Sequence, residues 1–220
     1  MNRLLGVLML ALVSMATACG KQTPEQRLEI ATLKKRAAAR DADAQLNLGN
    51  AYHNGTGVPK DYAEAAKWYR LGANQGYANA QYNLGNAYNN GTGVPKDYAE
   101  AVKWYRLAAD QGLANAQLNL GVSYNNGTGV PKDYAEAAKW YRLAADQGVA
   151  AAQYNLGYAY AYGAGVPEDV VQAYKWWNLA AAAGDSDAVN NKNIAATKMT
   201  TAQIVEARRL SAAFKPKKTP

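Results

Sequence analysis

Apolar residues in the central part of the chain recur at every third or fourth position, a spacing typical of amphipathic helices. In residues 77–112, Ala80 and Leu84 fall on one face of a first helix, and Ala101 and Tyr105 fall on one face of a second. Asparagines occupy much of the opposite face of the first helix. The pattern therefore predicts two helices within this stretch, each with one side buried.

Residues that end and begin helices separate the two predicted elements. Asn90-Gly91 indicates the end of the first helix, because glycine readily adopts the left-handed conformation found just past a helix C-terminus. Asp97, with Glu100 three residues later, is typical of a capping box at the start of the second helix, and Gly112 indicates its end. A short glycine-rich loop therefore joins the two helices.

This helix pair recurs four times with a period of 36 residues. The segment Asp-Tyr-Ala-Glu-Ala begins at Asp61, Asp97 and Asp133, and a weaker copy begins at Asp169. Self-similarity at a fixed period of this length is typical of helical repeat proteins, in which each unit stacks on its neighbours. The four units are residues 41–76, 77–112, 113–148 and 149–184.

A glycine also recurs inside each first helix, at Gly49, Gly85, Gly121 and Gly157. Glycine in a helix interior costs about 1 kcal/mol relative to alanine. Its recurrence predicts that a neighbouring helix approaches too closely for a side chain.

The repeated motif resembles the Sel-one-like repeat, a relative of the tetratricopeptide repeat. In the second unit the matching residues read Ala-Asn-Ala-Gln-Tyr-Asn-Leu-Gly, then Gly-Thr-Gly-Val-Pro-Lys-Asp and Lys-Trp-Tyr, and the resemblance covers residues 41–184 without a gap. It implies an all-α fold: a right-handed α-solenoid of antiparallel helix pairs, whose first helices line a concave face. The usual role of the family is protein–protein interaction and scaffolding. Some secreted bacterial relatives carry paired cysteines in each repeat, and this chain has none.

Residues 23–40 are predicted to form an N-terminal capping helix for the solenoid. Thr23 begins a capping box that includes Gln26, followed by an apolar helical pattern. This helix stands in the place of an isolated second helix, although Arg40 replaces the usual terminal glycine.

Residues 185–214 are predicted to form the C-terminal capping helices, because a solenoid needs its ends covered. Residues 186–196 resemble a polar, shortened first helix, and Thr200 is predicted to cap a last helix. Residues 215–220 form a basic tail, for which a frayed, solubilising role is favoured over a specific contact.

The first residues have the pattern of an export signal. Residues 1–18 contain Arg3, an apolar run and the small residues Ala16-Thr17-Ala18, which predicts a signal peptide. Cys19 follows directly, as in the lipobox of bacterial lipoproteins, although Ala16 stands where leucine is usual. The protein is therefore predicted to be exported and lipid-anchored on Cys19 at the cell envelope, facing the periplasm, with residues 19–22 as a tether. A soluble periplasmic or secreted protein is the alternative.

Composition and charge restrict the chemistry. The chain of 220 residues is 49% hydrophobic, which is enough to bury a core, and it contains one Cys and one His, His53. This count excludes a Cys/His zinc site and an internal disulfide framework. The net charge of +7 lies at the ends: the four units together carry −2, and residues 19–40 and 185–220 carry +4 each. A nucleic-acid partner is not expected, since its binding face would carry a basic stripe.

No catalytic or cofactor-binding constellation is predicted, so the chain is not expected to be an enzyme. Ser123 and Ser186 have no His or evident Lys partner in the sequence. The Gly-Thr-Gly-Val-Pro loop follows a helix, whereas a phosphate-binding loop follows a strand. Its glycines are interpreted as turn residues.

Positions opposite the buried stripe of the first helices form the predicted partner-binding face. An asparagine just after Leu-Gly often binds the backbone of a bound peptide in tetratricopeptide-type repeats, and Asn50 and Asn86 match that position, whereas Val122 and Tyr158 depart from it. The tyrosines of the fourth unit either bind the partner or pack on the next repeat. The full predicted set is Asn50, Tyr82, Asn86, Leu118, Val122, Tyr154, Tyr158 and Tyr162.

These observations favour a non-enzymatic scaffold at the bacterial cell envelope, which binds a peptide or protein segment on the concave face. A peptidoglycan- or glycan-binding module is the alternative, because tyrosines also stack on sugars. A cell-wall or β-lactam hydrolase is a further alternative that the sequence favours less.

Overall fold

The computed structural model describes residues 23–217, and in that part of the chain eleven α-helices account for all the regular structure. The all-α prediction is confirmed. The helices are α1 (Pro24–Ala38), α2 (Ala42–Asn54), α3 (Tyr62–Asn74), α4 (Ala78–Asn90), α5 (Tyr98–Asp110), α6 (Ala114–Asn126), α7 (Tyr134–Asp146), α8 (Ala150–Tyr162), α9 (Val170–Ala182), α10 (Ser186–Ala196) and α11 (Thr201–Ala212).

Each repeat contributes one pair of helices to a continuous stack. The first helices α2, α4, α6 and α8 pack on the second helices α3, α5, α7 and α9 of the same repeat. Each second helix also packs on the first helix of the next repeat, so the main contacts run between neighbours along the chain. This arrangement confirms the predicted α-solenoid.

A leucine of each first helix packs into a core that is shared with the preceding helix of the stack, which is α1 or the second helix of the preceding repeat. Leu48, Leu84, Leu120 and Leu156 are fully buried among alanines of the adjoining helices. Removing a leucine side chain from water contributes about 1.5–3 kcal/mol. The small alanines allow the helices to approach closely around it.

The recurring glycines of the first helices lie where a neighbouring helix approaches too closely for a side chain, as predicted. A Cβ atom placed on these glycines would lie 2.5–2.7 Å from an aromatic ring of the second helix, closer than any real Cβ contact. Each ring therefore occupies the space that the missing side chain leaves. The glycines Gly49, Gly85, Gly121 and Gly157 face Tyr69, Tyr105, Tyr141 and Trp177, respectively.

The second helices begin as predicted at aspartate, but the predicted capping box is only half formed. The Asp61 carboxylate accepts a hydrogen bond from the backbone N–H of Glu64 at 3.0 Å. The Asp61 backbone N–H donates instead to the carbonyl of Tyr52 in α2, at 2.9 Å, so no donor remains for Glu64. Glu64 pairs with Lys67. The capping box predicted at Thr23 is complete, and the cap predicted at Thr200 is a complete capping box as well.

Arg40 adopts the left-handed conformation that glycine adopts at the same place in the repeats. Its φ is +65°, and among residues 23–217 it is the one non-glycine residue with a positive φ. The corresponding Gly76, Gly112, Gly148 and Gly184 have φ between +85° and +97°. The predicted departure at Arg40 is therefore a change of residue type without a change of backbone conformation.

We expect Arg40→Gly to stabilise the protein by about 1 kcal/mol, because the left-handed conformation costs a residue with a Cβ about 1–2 kcal/mol and glycine loses some of this gain through its freer unfolded state. Urea unfolding of the two proteins measures the difference. Arg36→Ala is the control, because it removes the adjacent ion pair with Asp41 and leaves the backbone conformation in place. An unchanged or lower stability of the Arg40→Gly protein would contradict the prediction.

The last two helices both pack on α9. Helix α10 follows α9 as a shortened first helix, as predicted, and α11 packs mainly on α9 as well. The Ser211 hydroxyl lies 2.8 Å from the carbonyl of Ala207 in its own helix and 3.3 Å from that of Lys175 in α9, so its one proton is shared between them. The Phe214 ring meets the Trp176 ring edge-on at 5.7 Å. The C-terminal segment therefore covers α9, the second helix of the fourth repeat.

The chain after α11 is held in place, at least up to residue 217. The backbone N–H of Lys217 donates to the carbonyl of Asp146 at 2.8 Å, and its ammonium group pairs with the Asp146 carboxylate at 2.8 Å. Pro216 lies against Gly148. The frayed, solubilising tail expected from the sequence is therefore wrong for these two residues, because α11 directs them back to the end of α7.

Candidate functional site

Three cavities follow one another along the surface formed by the first helices, which we call the inner face. The first, of about 430 Å³, lies between repeats one and two and is lined by Asn50, His53 and Asn86 among others. The second, of about 310 Å³, contains Asn86 and Val122. The third, of about 650 Å³, is lined by Tyr158 and neighbouring tyrosines. The inner face is thus a series of openings that changes from amide-lined to tyrosine-lined.

The two predicted asparagines have their carbonyl oxygens occupied within the protein. Asn50 Oδ1 accepts hydrogen bonds from the Tyr69 hydroxyl at 2.9 Å and from Asn83 Nδ2 at 3.2 Å. The amide NH₂ remains able to donate to a bound backbone carbonyl. These asparagines can therefore bind the backbone of a peptide only as hydrogen-bond donors. The same two bonds recur one repeat later, at Asn86, Tyr105 and Asn119.

The bonded pairs Asn50–Asn83 and Asn86–Asn119 form what we call the asparagine ladder. The ladder ends in the third repeat, as the sequence indicated, because Val122 stands where Asn50 and Asn86 stand in the earlier repeats. Val122 is 36% exposed and lines the second cavity, whereas Leu118 is half-buried against the core of the fourth repeat. Tyr82 is also half-buried, with its ring tilted against the Tyr105 ring at a centroid distance of 6.1 Å. Of these three predicted residues, Val122 is the one that is exposed.

The tyrosines of the fourth repeat divide between the two roles left open by the sequence. Tyr154 packs against the core formed by α9 and α10, and its hydroxyl accepts a hydrogen bond from Asn191 Nδ2 in α10 at 3.3 Å. Tyr158 and Tyr162 are 48% and 66% exposed. Their ring centroids lie 4.4 Å apart, so they form one aromatic surface beside the third cavity. Of the three tyrosines predicted on the binding face of this repeat, Tyr158 and Tyr162 therefore form an exposed pair, and Tyr154 is packed beside them.

Burial of the second-helix tyrosines strongly changes their acidity. Burial raises the pKa of Tyr69 from 10.0 to about 12, and it also raises the pKa of Tyr105 and Tyr141. The cause is the loss of water around a hydroxyl that would have to become a phenolate. Tyr69 and Tyr105 carry the hydrogen bonds to the asparagine ladder, so these bonds persist as long as the hydroxyls keep their protons.

We expect the free energy of unfolding to fall as the pH rises through the window from about 10 to about 12. Folded Tyr69 keeps its proton there while the unfolded chain releases it, so this contribution is complete below pH 10.0 and disappears by about pH 12, a loss of about 2–3 kcal/mol from Tyr69 alone. Urea unfolding in this window, with tyrosinate absorbance recorded in parallel, measures it. Tyr69→Phe is the control, which should reduce the slope and leave the part that comes from Tyr105 and Tyr141; an identical slope would contradict the assignment.

Two tyrosines of the site were missed in the sequence. Tyr62 lines the first cavity and meets the His53 ring edge-on at 5.1 Å, and Tyr134 lines the third cavity. Both are the tyrosine of the Asp-Tyr-Ala-Glu-Ala segment, at the first position of a second helix. The signal in the sequence is their place directly after the capping aspartate, since the first turn of an amphipathic helix next to a loop is commonly accessible.

The described residues show little chemistry beyond hydrogen bonding. The Ser123 hydroxyl, one of the two serines weighed for catalysis, donates to the carbonyl of Asn119 in its own helix at 2.9 Å. Across residues 23–217 no group of three or more His, Cys, Asp or Glu side chains is arranged to hold a metal ion. Nor does this part of the chain contain a helix long and apolar enough to cross a membrane.

Stacked helix pairs with an open inner face define an α-helical repeat protein of the protein-interaction class. The chain belongs to the Sel1 repeat family, which matches residues 42–77, 78–113, 114–149 and 150–185. These units begin one residue after those defined from the sequence. The recognition of the family from its motif is confirmed. The family is a non-catalytic protein-interaction fold, so the expectation that this chain is not an enzyme is also confirmed.

Solved structures support the same assignment. A Sel1 repeat protein from Oxalobacter formigenes is 34% identical, with a TM-score of 0.72, and the match covers 84% of this chain and 79% of that chain. The protein c5321, a protective antigen of uropathogenic Escherichia coli strains with an SLR fold, is 28% identical with a TM-score of 0.53. That match covers 92% of this chain and 59% of the antigen. No curated protein matches the chain.

Proposed function

We propose that this protein is a non-enzymatic scaffold of the bacterial cell envelope that binds an extended segment of a partner protein along its inner face. The exposed pair Tyr158 and Tyr162 beside the largest of the three cavities is the observation that carries the proposal. Interface energy concentrates in a few aromatic and arginine anchors, and paired rings of this kind are suitable anchors. The amide groups of Asn50 and Asn86, further along the same face, donate to the backbone of the segment.

Photo-crosslinking tests the binding face directly. A photoreactive amino acid placed at Tyr162 in the native host captures the partner, which mass spectrometry identifies. We expect Tyr158→Ala to lower the affinity for the captured segment by about 1–3 kcal/mol, measured by calorimetry. The control is Leu107→Ala, which removes an exposed apolar side chain from α5, away from the residues that line the three cavities. Equal affinities of the wild-type and Tyr158→Ala proteins would contradict the proposal.

The envelope location rests on the sequence of residues 1–18 and on Cys19, which lie outside the described residues. The export signal pattern and the lipobox-like cysteine support lipid anchoring with the repeats facing the periplasm. Cys19→Ser should release the protein from membranes into the soluble periplasmic fraction. A wild-type protein already found in the soluble fraction would contradict the anchor.

Peptidoglycan is a second candidate ligand, favoured by the same exposed tyrosine pair, since aromatic rings also stack on sugars. Sedimentation with purified sacculi separates the two candidates. Binding that is lost in Tyr158→Ala and unaffected by the partner segment would favour the glycan.

A further inference from the structure

A lysine lies over an exposed tyrosine ring at the start of the second helix in each of the first three repeats. The ammonium groups stand 4.7–4.8 Å from the ring centroids, a cation–π geometry. We call Lys60, Lys96 and Lys132 the lysine row; their rings belong to Tyr62, Tyr98 and Tyr134.

The lysine row carries charge that the protein does not neutralise. Within residues 23–217, none of the three ammonium groups lies within ion-pair distance of a carboxylate. The other repeated lysines, Lys67, Lys103 and Lys139, each pair with the glutamate three residues earlier. An ammonium has three donors, and a ring face satisfies them only weakly. The row therefore presents three cations that are free to bind an anion.

Each lysine of the row begins close to the end of a first helix. A Cβ atom placed on Gly55, at the end of α2, would lie 3.3 Å from the Cβ of Lys60. The corresponding distances from Gly91 to Lys96 and from Gly127 to Lys132 are 3.1 and 3.2 Å. The three lysines therefore recur at the same place in each repeat, and each of them is exposed.

The row borders the inner face. Tyr62, under Lys60, lines the first cavity together with Asn50 and Asn86. Tyr134, under Lys132, lines the third cavity with the exposed tyrosines. A segment lying along the first and third cavities therefore meets the rings that carry Lys60 and Lys132, and Lys96 occupies the equivalent position in the repeat between them.

The fourth repeat reverses this feature. Glu168 occupies the position of the lysine, and Val170 occupies that of the tyrosine. The edge of the inner face consequently carries three positive charges followed by one negative charge. This order of charges favours one orientation of a charged partner segment along the solenoid over the reverse orientation.

We propose that the partner segment is acidic, with carboxylates facing Lys60, Lys96 and Lys132 and none facing Glu168. This inference rests on the proposed function and identifies the chemistry of its ligand. Complementary charge along an interface determines register and partner choice more than total affinity. A protein segment is favoured over nucleic acid because the row has three lysines and ends at Glu168, which is too short for the basic stripe of a nucleic-acid-binding face.

Two triple variants with the same change of charge test the inference. The first, Lys60→Gln with Lys96→Gln and Lys132→Gln, neutralises the row. The matched control, Lys67→Gln with Lys103→Gln and Lys139→Gln, neutralises the ion-paired lysines of α3, α5 and α7, the helices that directly follow the lysine row. The probes are labelled peptides of about 20 residues, long enough to span several repeats when extended. One alternates glutamate with serine and the other alternates glutamine with serine.

We expect the wild-type protein to bind the glutamate peptide about tenfold more tightly than the glutamine peptide, in fluorescence anisotropy at low salt. The row variant should lose about tenfold for the glutamate peptide, and the control variant less than about twofold. Thermal melting of both variants should match the wild type. Equal losses in the two variants, or no preference for glutamate, would overturn the inference.

Competitors separate the possible anions. Oligothymidine and vesicles containing phosphatidylglycerol are tested with both variants. If either binds as tightly as the glutamate peptide and with the same dependence on the lysine row, the row is a site for nucleic acid or lipid and the inference is wrong. Weaker binding without that dependence supports an acidic protein segment.

The partner segment captured at the inner face distinguishes this inference from the proposed function. Weaker binding to both the row variant and Tyr158→Ala supports both. Weaker binding to Tyr158→Ala alone overturns the acidic partner and leaves the proposed function standing. Weaker binding to the row variant alone contradicts the tyrosine anchor, while the lysine row stands.

Discussion

Gly165→Ala is expected to destabilise the protein by about 2–5 kcal/mol. The loop of the fourth repeat places Gly165 at φ +76°, and a Cβ there would lie 2.0 Å from the carbonyl oxygen of Tyr134, in the preceding repeat. The left-handed conformation costs alanine about 1–2 kcal/mol, and the overlap adds about 1–3 kcal/mol because backbone cannot rotate away as a side chain can. Urea unfolding measures the loss.

Gly163→Ala, in the same loop, is the matched control. Gly163 also has a positive φ, +64°, but the nearest atom to its Cβ would be 3.7 Å away, an ordinary contact. We therefore expect a loss of about 1–2 kcal/mol, from the conformation alone. Similar losses in the two variants would contradict a tight backbone contact between repeats at Gly165.

The Gly165 contact shows what the sequence could not reveal about the loops. Interpreting both glycines as turn residues was correct for the backbone conformation, since both have positive φ. The reason that the second one cannot be replaced lies in another repeat: Gly93 and Gly129 meet the carbonyls of Tyr62 and Tyr98 in the same way. A pattern within one unit contains no information on which backbone the next unit approaches.

The rest of the fold shows the same difference between contacts within one repeat and contacts between distant parts of the chain. Features set within one repeat were predictable: the N-cap at Asp97 and the close approach at Gly85 follow from residue type and spacing. Features set between elements distant in the sequence were not. The sequence predicts a frayed tail at Lys217, whereas the packing of α11 brings this residue to Asp146, which is far away along the chain.

The candidate site was predictable to a similar degree. Helical periodicity correctly placed Asn50 and Tyr158 on an accessible face of the first helices. It could not show that the Tyr69 hydroxyl occupies the Asn50 carbonyl oxygen, because that bond depends on how closely the second helix packs. It also could not separate Tyr154, which packs against α9 and α10, from its exposed neighbour Tyr158, one turn later in α8.

Leu156→Ala is expected to destabilise the protein by about 2–5 kcal/mol, whereas Tyr158→Ala, two residues later in α8, should change its stability by less than about 0.5 kcal/mol. Leu156 is fully buried, so alanine leaves a cavity between α8 and its neighbours. Tyr158 is 48% exposed, and its close ring contact is with Tyr162, which is exposed itself. Thermal melting measures both changes, and a loss of 1 kcal/mol lowers the midpoint by roughly 2–4 °C in a protein of this size.

The comparison also decides the role of Tyr158. Truncating a surface residue that binds a partner lowers the affinity for the partner and leaves the stability of the protein unchanged, whereas truncating a core residue lowers both. If Tyr158→Ala lowers the melting midpoint as much as Leu156→Ala does, the tyrosine supports the fourth repeat and the inner-face site loses its anchor. If the midpoint is unchanged, any loss of partner binding in this variant comes from the missing ring itself.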